Sequence, residues 1–133
     1  MNGIRRGYAI EKRMMRQFKG RKTSWDEVDF ETGRALYEVK SSQLFRRTVN
    51  HQEKRPYRGF NQGRFHILTG NHILLYLRSL QTLKPARYLF VLRFGNQCLY
   101  RVVRWEDIRI TNDRDYHEIP ISRFFTEGTD AEA

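Results

Sequence analysis

Trp25-Asp26-Glu27-Val28-Asp29-Phe30-Glu31-Thr32-Gly33-Arg34-Ala35-Leu36-Tyr37-Glu38-Val39-Lys40 reads as a β-hairpin with strands at 25–30 and 35–40. Alternation along a strand puts every second residue on one face, so Glu38 and Lys40 share a face. Which acidic residue joins them depends on the turn. Thr resists positive φ, so Thr32-Gly33 is a poor two-residue loop. A three-residue loop, Glu31-Thr32-Gly33, puts Gly33 in the left-handed position that this loop class prefers. That register pairs Asp26 with Glu38 and sets Val28, Phe30 and Leu36 on the same face. It favours Asp26, with Asp29 as the alternative: the two-residue loop would put Glu27 and Asp29 on the Glu38 face, and a longer loop or a bulge reopens the choice. Carboxylates beside an ammonium group can hold a hard divalent cation and manage a water molecule. A solvent-facing hairpin carrying ordinary cross-strand charges is the plainer reading.

The totals narrow the partner. The chain has 133 residues, enough for one core, with 39% apolar and 14% aromatic residues. Lys and Arg number 25 against 15 Asp and Glu, a net charge of +10. In a small domain such an excess points to a polyanion, most often nucleic acid. No apolar run is long enough to span a bilayer, so no membrane partner is expected. Cys98 is the single cysteine, which excludes an intrachain disulfide and fits a buried small side chain. Met1-Asn2-Gly3-Ile4-Arg5-Arg6 lacks the apolar core of a signal peptide. These features give a cytoplasmic expectation.

Along the chain, residues 7–19 read as a helix with Ile10, Met14 and Phe18 on one stripe and Gly20 as its C′ residue. Residues 41–62 read as a long polar connection. With its margins this segment carries Arg46, Arg47, Lys54, Arg55, Arg58 and Arg64, interleaved with Phe45, Tyr57 and Phe60, and suits contacts to a nucleic-acid backbone and its bases. Residues 64–68 form a short strand. Asn71 caps a helix to about Leu83, whose buried stripe is Ile73, Leu74, Leu77 and Leu80. Tyr88 to Leu92 is a central strand, Gly95-Asn96 a turn and Leu99 to Val103 a returning strand. His72 falls in the first turn of its helix without a catalytic role, and no histidine has zinc spacing. Residues 105–125 are irregular. The expectation is an α/β fold in a single nuclease-like domain, 1–127, with a tail at 128–133.

The pattern of Asp26 followed by Glu38-Val39-Lys40-Ser41-Ser42 resembles the PD-(D/E)XK nuclease superfamily, the restriction-endonuclease-like nucleases. Trp25 stands where that pattern has proline. The resemblance implies an α-β-β-β-α-β core, which matches the order read over residues 7–92. It implies that Asp26 and Glu38 bind Mg²⁺ or Mn²⁺ and that Lys40 assists attack by water. Gly7-Tyr8-Ala9-Ile10-Glu11 is similar to the first helix of archaeal Holliday-junction-resolvase-type members, which makes Glu11 a third metal ligand. The implied activity is a Mg²⁺-dependent DNA endonuclease on duplex or branched DNA, working as a homodimer. A nuclease-like fold that only binds nucleic acid is the alternative, and action on RNA a weaker third.

Overall fold

The computed structural model describes residues 3–48 and 59–125, with side chains from Tyr8 to Leu44 and from Gly63 to Phe125. Helix α1 (Gly3–Gln17) leads into three strands: β1 (Arg21–Lys22), β2 (Phe30–Glu31) and β3 (Leu36–Gln43). A second hairpin follows, β4 (Phe45–Thr48) and β5 (Gly59–Gln62), then β6 (Arg64–Leu68) and helix α2 (Thr69–Thr82). Strands β7 (Ala86–Phe94), β8 (Gln97–Arg104) and β9 (Tyr116–Pro120) complete the described chain. The result is α/β: two helices and a mixed five-stranded sheet in the order β1-β2-β3-β7-β8. Within that sheet only β3 and β7 run parallel, joined by the crossover that contains α2. No helix among the described residues is long and apolar enough to cross a membrane.

Strand β7 lies between β3 and β8 and is buried on both faces, as its continuous apolar run predicts. Tyr88, Phe90 and Leu92 join Leu36, Phe65, Ile67 and Leu75 in one core cluster. Leu89 and Val91 join Val39, Tyr37, Phe30, Ile10 and Met14 in the other, under α1. The sheet therefore separates two apolar layers, and α1 is held against one of them.

Several expectations are corrected. Residues 25–28 are not strand: Thr23 Oγ1 donates to the Val28 carbonyl at 2.6 Å and accepts from the Trp25 N–H at 3.3 Å, folding this stretch into a loop. Val28 and Phe30 fall in opposite clusters. The hairpin turn is Gly33-Arg34, closed by the Thr32 N–H on the Ala35 carbonyl at 2.9 Å. Thr32 Oγ1 accepts from the Arg34 and Ala35 N–H groups, so Thr works at the first turn position, where no positive φ is needed. Phe30 then pairs with Tyr37 and Glu31 with Leu36.

Residues 41–62 are not one long connection, since β3 continues to Gln43 and β4 pairs with β5. The third strand of the central sheet is β1, while β6 pairs with β9, a strand within the stretch read as irregular. Helix α2 begins two residues before Asn71, after Leu68, with no side-chain cap. Its buried residues are Thr69, His72 and Leu75, whereas Ile73, Leu74, Leu77 and Leu80 lie outward. The tail at 128–133 is outside the described residues.

Gly20 serves a different purpose from the expected one. Lys19, at φ 56°, takes the left-handed position, and the Gly20 N–H returns to the Met15 carbonyl at 2.8 Å. A Cβ on Gly20 would strike Phe30 Cδ2, so glycine is required here by close approach of the helix end to the sheet. Gly20→Ala is expected to destabilise the fold by about 1–3 kcal/mol through overpacking. Lys19→Gly is expected to stabilise it by about 1 kcal/mol. Urea unfolding of the two variants checks this assignment, and the reverse order of stability would contradict it.

Candidate functional site

Strand β2 begins at Phe30, the partner of Tyr37, but β3 runs on past Tyr37. Beyond that point the outer edge of β3 has no strand beside it from β2, and its N–H groups need other acceptors. Asp29 supplies one. Its N–H donates to the Tyr37 carbonyl at 2.9 Å, and its Oδ2 accepts the Val39 N–H at 2.7 Å. The carboxyl of Asp29 is thereby fixed beside Glu38 and Lys40.

Glu38 is buried, and Lys40 Nζ meets its Oε1 at 3.2 Å. Its Oε2 is buried without a hydrogen-bond partner. Glu11 reaches the same place from α1 and lies beside Asp29. Carboxyl groups this close to one another favour protonation of one of them. Burial, then the nearby charge of Glu11, pushes Asp29 up to about 7. Burial, then the charge of Asp29, raises Glu38 well above the ordinary carboxylate range, against the pull of Lys40. Burial also raises Glu11, opposed by Asp29, Lys22 and Lys40. Three acidic groups thus sit where full ionisation of all of them is unfavourable.

An open cleft of about 620 Å³ adjoins this cluster, lined by Glu11, Asp29, Tyr8, Lys22 and Trp25 among others. Asp26 also lines it, but as an exposed residue of the 23–28 loop, and it does not take part in the Glu11–Asp29–Glu38 cluster. The expected partnership of Asp26 with Glu38 is therefore replaced by that of Asp29, because the hairpin register differs. Glu11, Glu38 and Lys40 are brought together beside Asp29. The carboxyl oxygens are grouped but not drawn to a common point: among the described residues no set of three or more His, Cys, Asp or Glu forms a ready metal cage.

Of the basic residues, Lys54, Arg55 and Arg58 lie outside the described residues. Arg46 and Arg47 fall on β4, where only the backbone is described. Arg64 on β6 is half exposed and pairs loosely with Glu118 at 3.9 Å.

Sequence reasoning missed what anchors the loop. Glu27 is buried and accepts from Arg78 Nε of α2 at 2.6 Å, and the same guanidinium lies 4.8 Å from the Trp25 ring centre. This clamp holds the 23–28 loop at the cleft wall. The only available signal was an Arg on an otherwise uncharged helix. His72 lies in the first turn of α2, as expected, and is buried. It is stacked on Trp105 at 4.3 Å between centroids and hydrogen-bonded through Nδ1 to the Tyr88 hydroxyl at 2.6 Å. Burial, then the His117 charge, lowers its pKa to about 4.

Comparison with models of known families, with curated proteins and with solved structures gives no match for this chain.

Two buried groups set opposing pH dependences. Asp29 has its folded pKa raised from 3.8 to about 7, so its contribution to stability is full below about pH 4 and is lost as pH rises to about 7. His72 has its folded pKa lowered from 6.5 to about 4, so its contribution is full above about pH 6.5 and is lost as pH falls to about 4. Asp29→Asn removes the first dependence and leaves that of His72. Urea unfolding between these pH limits is expected to show stability rising more steeply with pH in Asp29→Asn than in the wild type. Equal slopes would contradict the burial and coupling assigned to Asp29.

Proposed function

We propose that the chain is a Mg²⁺- or Mn²⁺-dependent endonuclease that hydrolyses phosphodiester bonds in DNA. The observation that carries the proposal is the convergence of Glu11, Asp29 and Glu38, with Lys40 bonded to Glu38, beside an open cleft in a chain of net charge +10. The order of α1, β1, β2, β3, α2 and β7, with β7 parallel to β3, supports the restriction-endonuclease-like reading. So does the Glu38-Val39-Lys40 triplet at the edge of the sheet.

The donor set suits a hard cation. Glu38 offers a buried oxygen with no partner, and Asp29 and Glu11 offer carboxyl oxygens whose ionised forms a divalent charge would favour. Such an ion supplies charge stabilisation at the phosphate and a more acidic water. The residues do the rest. The Val39 N–H fixes the orientation of the Asp29 carboxyl. Glu38 holds Lys40 at 3.2 Å, so its ammonium group is positioned to orient a water or to steady charge on the phosphate at attack. Lys22 on the cleft wall adds a cation for the DNA backbone. The +10 charge alone fits equally well a module that only binds nucleic acid, and cleavage separates the two.

With Mg²⁺ or Mn²⁺, the wild type is expected to cut plasmid DNA or a four-way junction, and to cut DNA faster than RNA. Glu38→Ala, Lys40→Ala and Asp29→Asn are expected to lose about 10²–10⁴-fold in rate. Asp26→Ala is expected to stay within a few-fold of wild type. Failure of the folded wild type to cut any of these substrates would overturn the enzyme, and equal rates in wild type and Glu38→Ala would overturn the site.

A further inference from the structure

The cleft beside Glu11 and Asp29 has aromatic groups on its wall that the proposed chemistry does not use. Tyr8 lies three residues before Glu11 on α1, hence on the same helix face, and is 55% exposed. Trp25 lines the cleft from the 23–28 loop. It is half-buried: part of it packs on the core, and the Arg78 guanidinium lies 4.8 Å over its ring. Arg78 is in turn tied to buried Glu27 at 2.6 Å, so the ring is held in place at the cleft wall. A ring fixed in advance loses little freedom when a ligand binds.

The rest of the lining selects among ligands. Among the described residues that line the cleft, Lys22 is the one cation, and the carboxyls of Glu11, Asp26 and Asp29 outnumber it. Phosphate oxygens are repelled from such a wall unless a metal ion intervenes. A flat neutral ring is not, and it gains by stacking on an aromatic side chain. The volume of about 620 Å³ is of the size that holds a small ligand.

We propose that this cleft takes an unpaired base of a DNA strand, stacked against the Tyr8 and Trp25 rings, with the adjoining backbone left to Lys22. A base inside a duplex has both faces covered by its neighbours, so only a base out of the stack reaches these rings. The substrate class is therefore DNA with unpaired nucleotides: a single strand, or the unpaired positions of a frayed or branched structure. Stacking tolerates any base, since each has a flat face, so no sequence preference follows from it. The inference rests on the nucleic-acid reading of the cleft, but not on cleavage.

Fluorescence anisotropy of labelled DNA tests it, with Ca²⁺ in place of Mg²⁺ so that binding is read without cutting. The probes are oligothymidylate, a strand of equal length made wholly of abasic nucleotides, and a duplex. The wild type is expected to bind oligothymidylate about tenfold or more tightly than the abasic strand, which carries the same phosphates. Trp25→Leu and, independently, Tyr8→Leu are expected to weaken oligothymidylate about 5- to 100-fold and to leave the other two probes nearly unchanged. Tyr8 is exposed, so its replacement leaves the fold intact, and Tyr8→Phe, which keeps the ring, is expected to bind like the wild type. Equal wild-type affinity for oligothymidylate and the abasic strand would overturn the stacking and leave nucleic-acid binding standing. So would undiminished oligothymidylate binding in both Leu variants. A folded wild type that binds none of the three probes would overturn the nucleic-acid reading and this inference with it.

Discussion

The hydrogen bond from the Val39 N–H to the Asp29 carboxyl is the constraint around which the candidate site is built. Its cause is local. Strand β2 has only two residues, so it cannot satisfy the edge of β3 beyond Tyr37. A backbone N–H left unpaired away from water costs about 1–3 kcal/mol. Asp29 removes that penalty at 2.7 Å, but places a carboxyl beside Glu38 and Glu11. The demand for backbone pairing thus sets up an electrostatic problem, which protonation and Lys40 relieve in part. A divalent cation would relieve it more fully, and the proposed function rests on that balance.

The two core layers deliver the remaining groups. Ile10, Met14 and Phe30 fix α1 against the sheet, which brings Glu11 to the margin. On the other face, Leu36 and Tyr88 hold the stretch of β3 and β7 from which Glu38 and Lys40 project. Tyr88 is the Cα partner of Glu38 and has its own ionisation suppressed, by burial first and then by the Glu38 charge. Its hydroxyl stays neutral and bonded to His72. The polar pair behind the site therefore packs as core and adds no further charge to it.

Glu38 and Lys40 were legible from period-two alternation, and β7 from its apolar run. These depend on one strand at a time. The choice of aspartate was not legible, because it depends on register and register depends on the turn. Thr32 does avoid positive φ, yet the loop is the two-residue Gly33-Arg34 turn. Thr32 closes a two-residue turn with its hydroxyl, an option that backbone preferences alone do not reveal. The Glu27–Arg78 clamp and the β6–β9 pairing were hidden for a related reason: each joins residues about fifty apart in the chain. The stripe of α2 was read as a set of apolar positions, but its direction was reversed. Periodicity finds a face, and when nearly every face is apolar it does not say which one turns to the core.

The most direct test of the site is the titration of the Asp29 carboxyl carbon by NMR, with and without Mg²⁺. The account predicts that Asp29 titrates near pH 7 in the metal-free protein, and that Mg²⁺ moves its deprotonation to lower pH. An Asp29 that titrates as an ordinary aspartate and ignores Mg²⁺, while Asp26 responds to the ion, would contradict it.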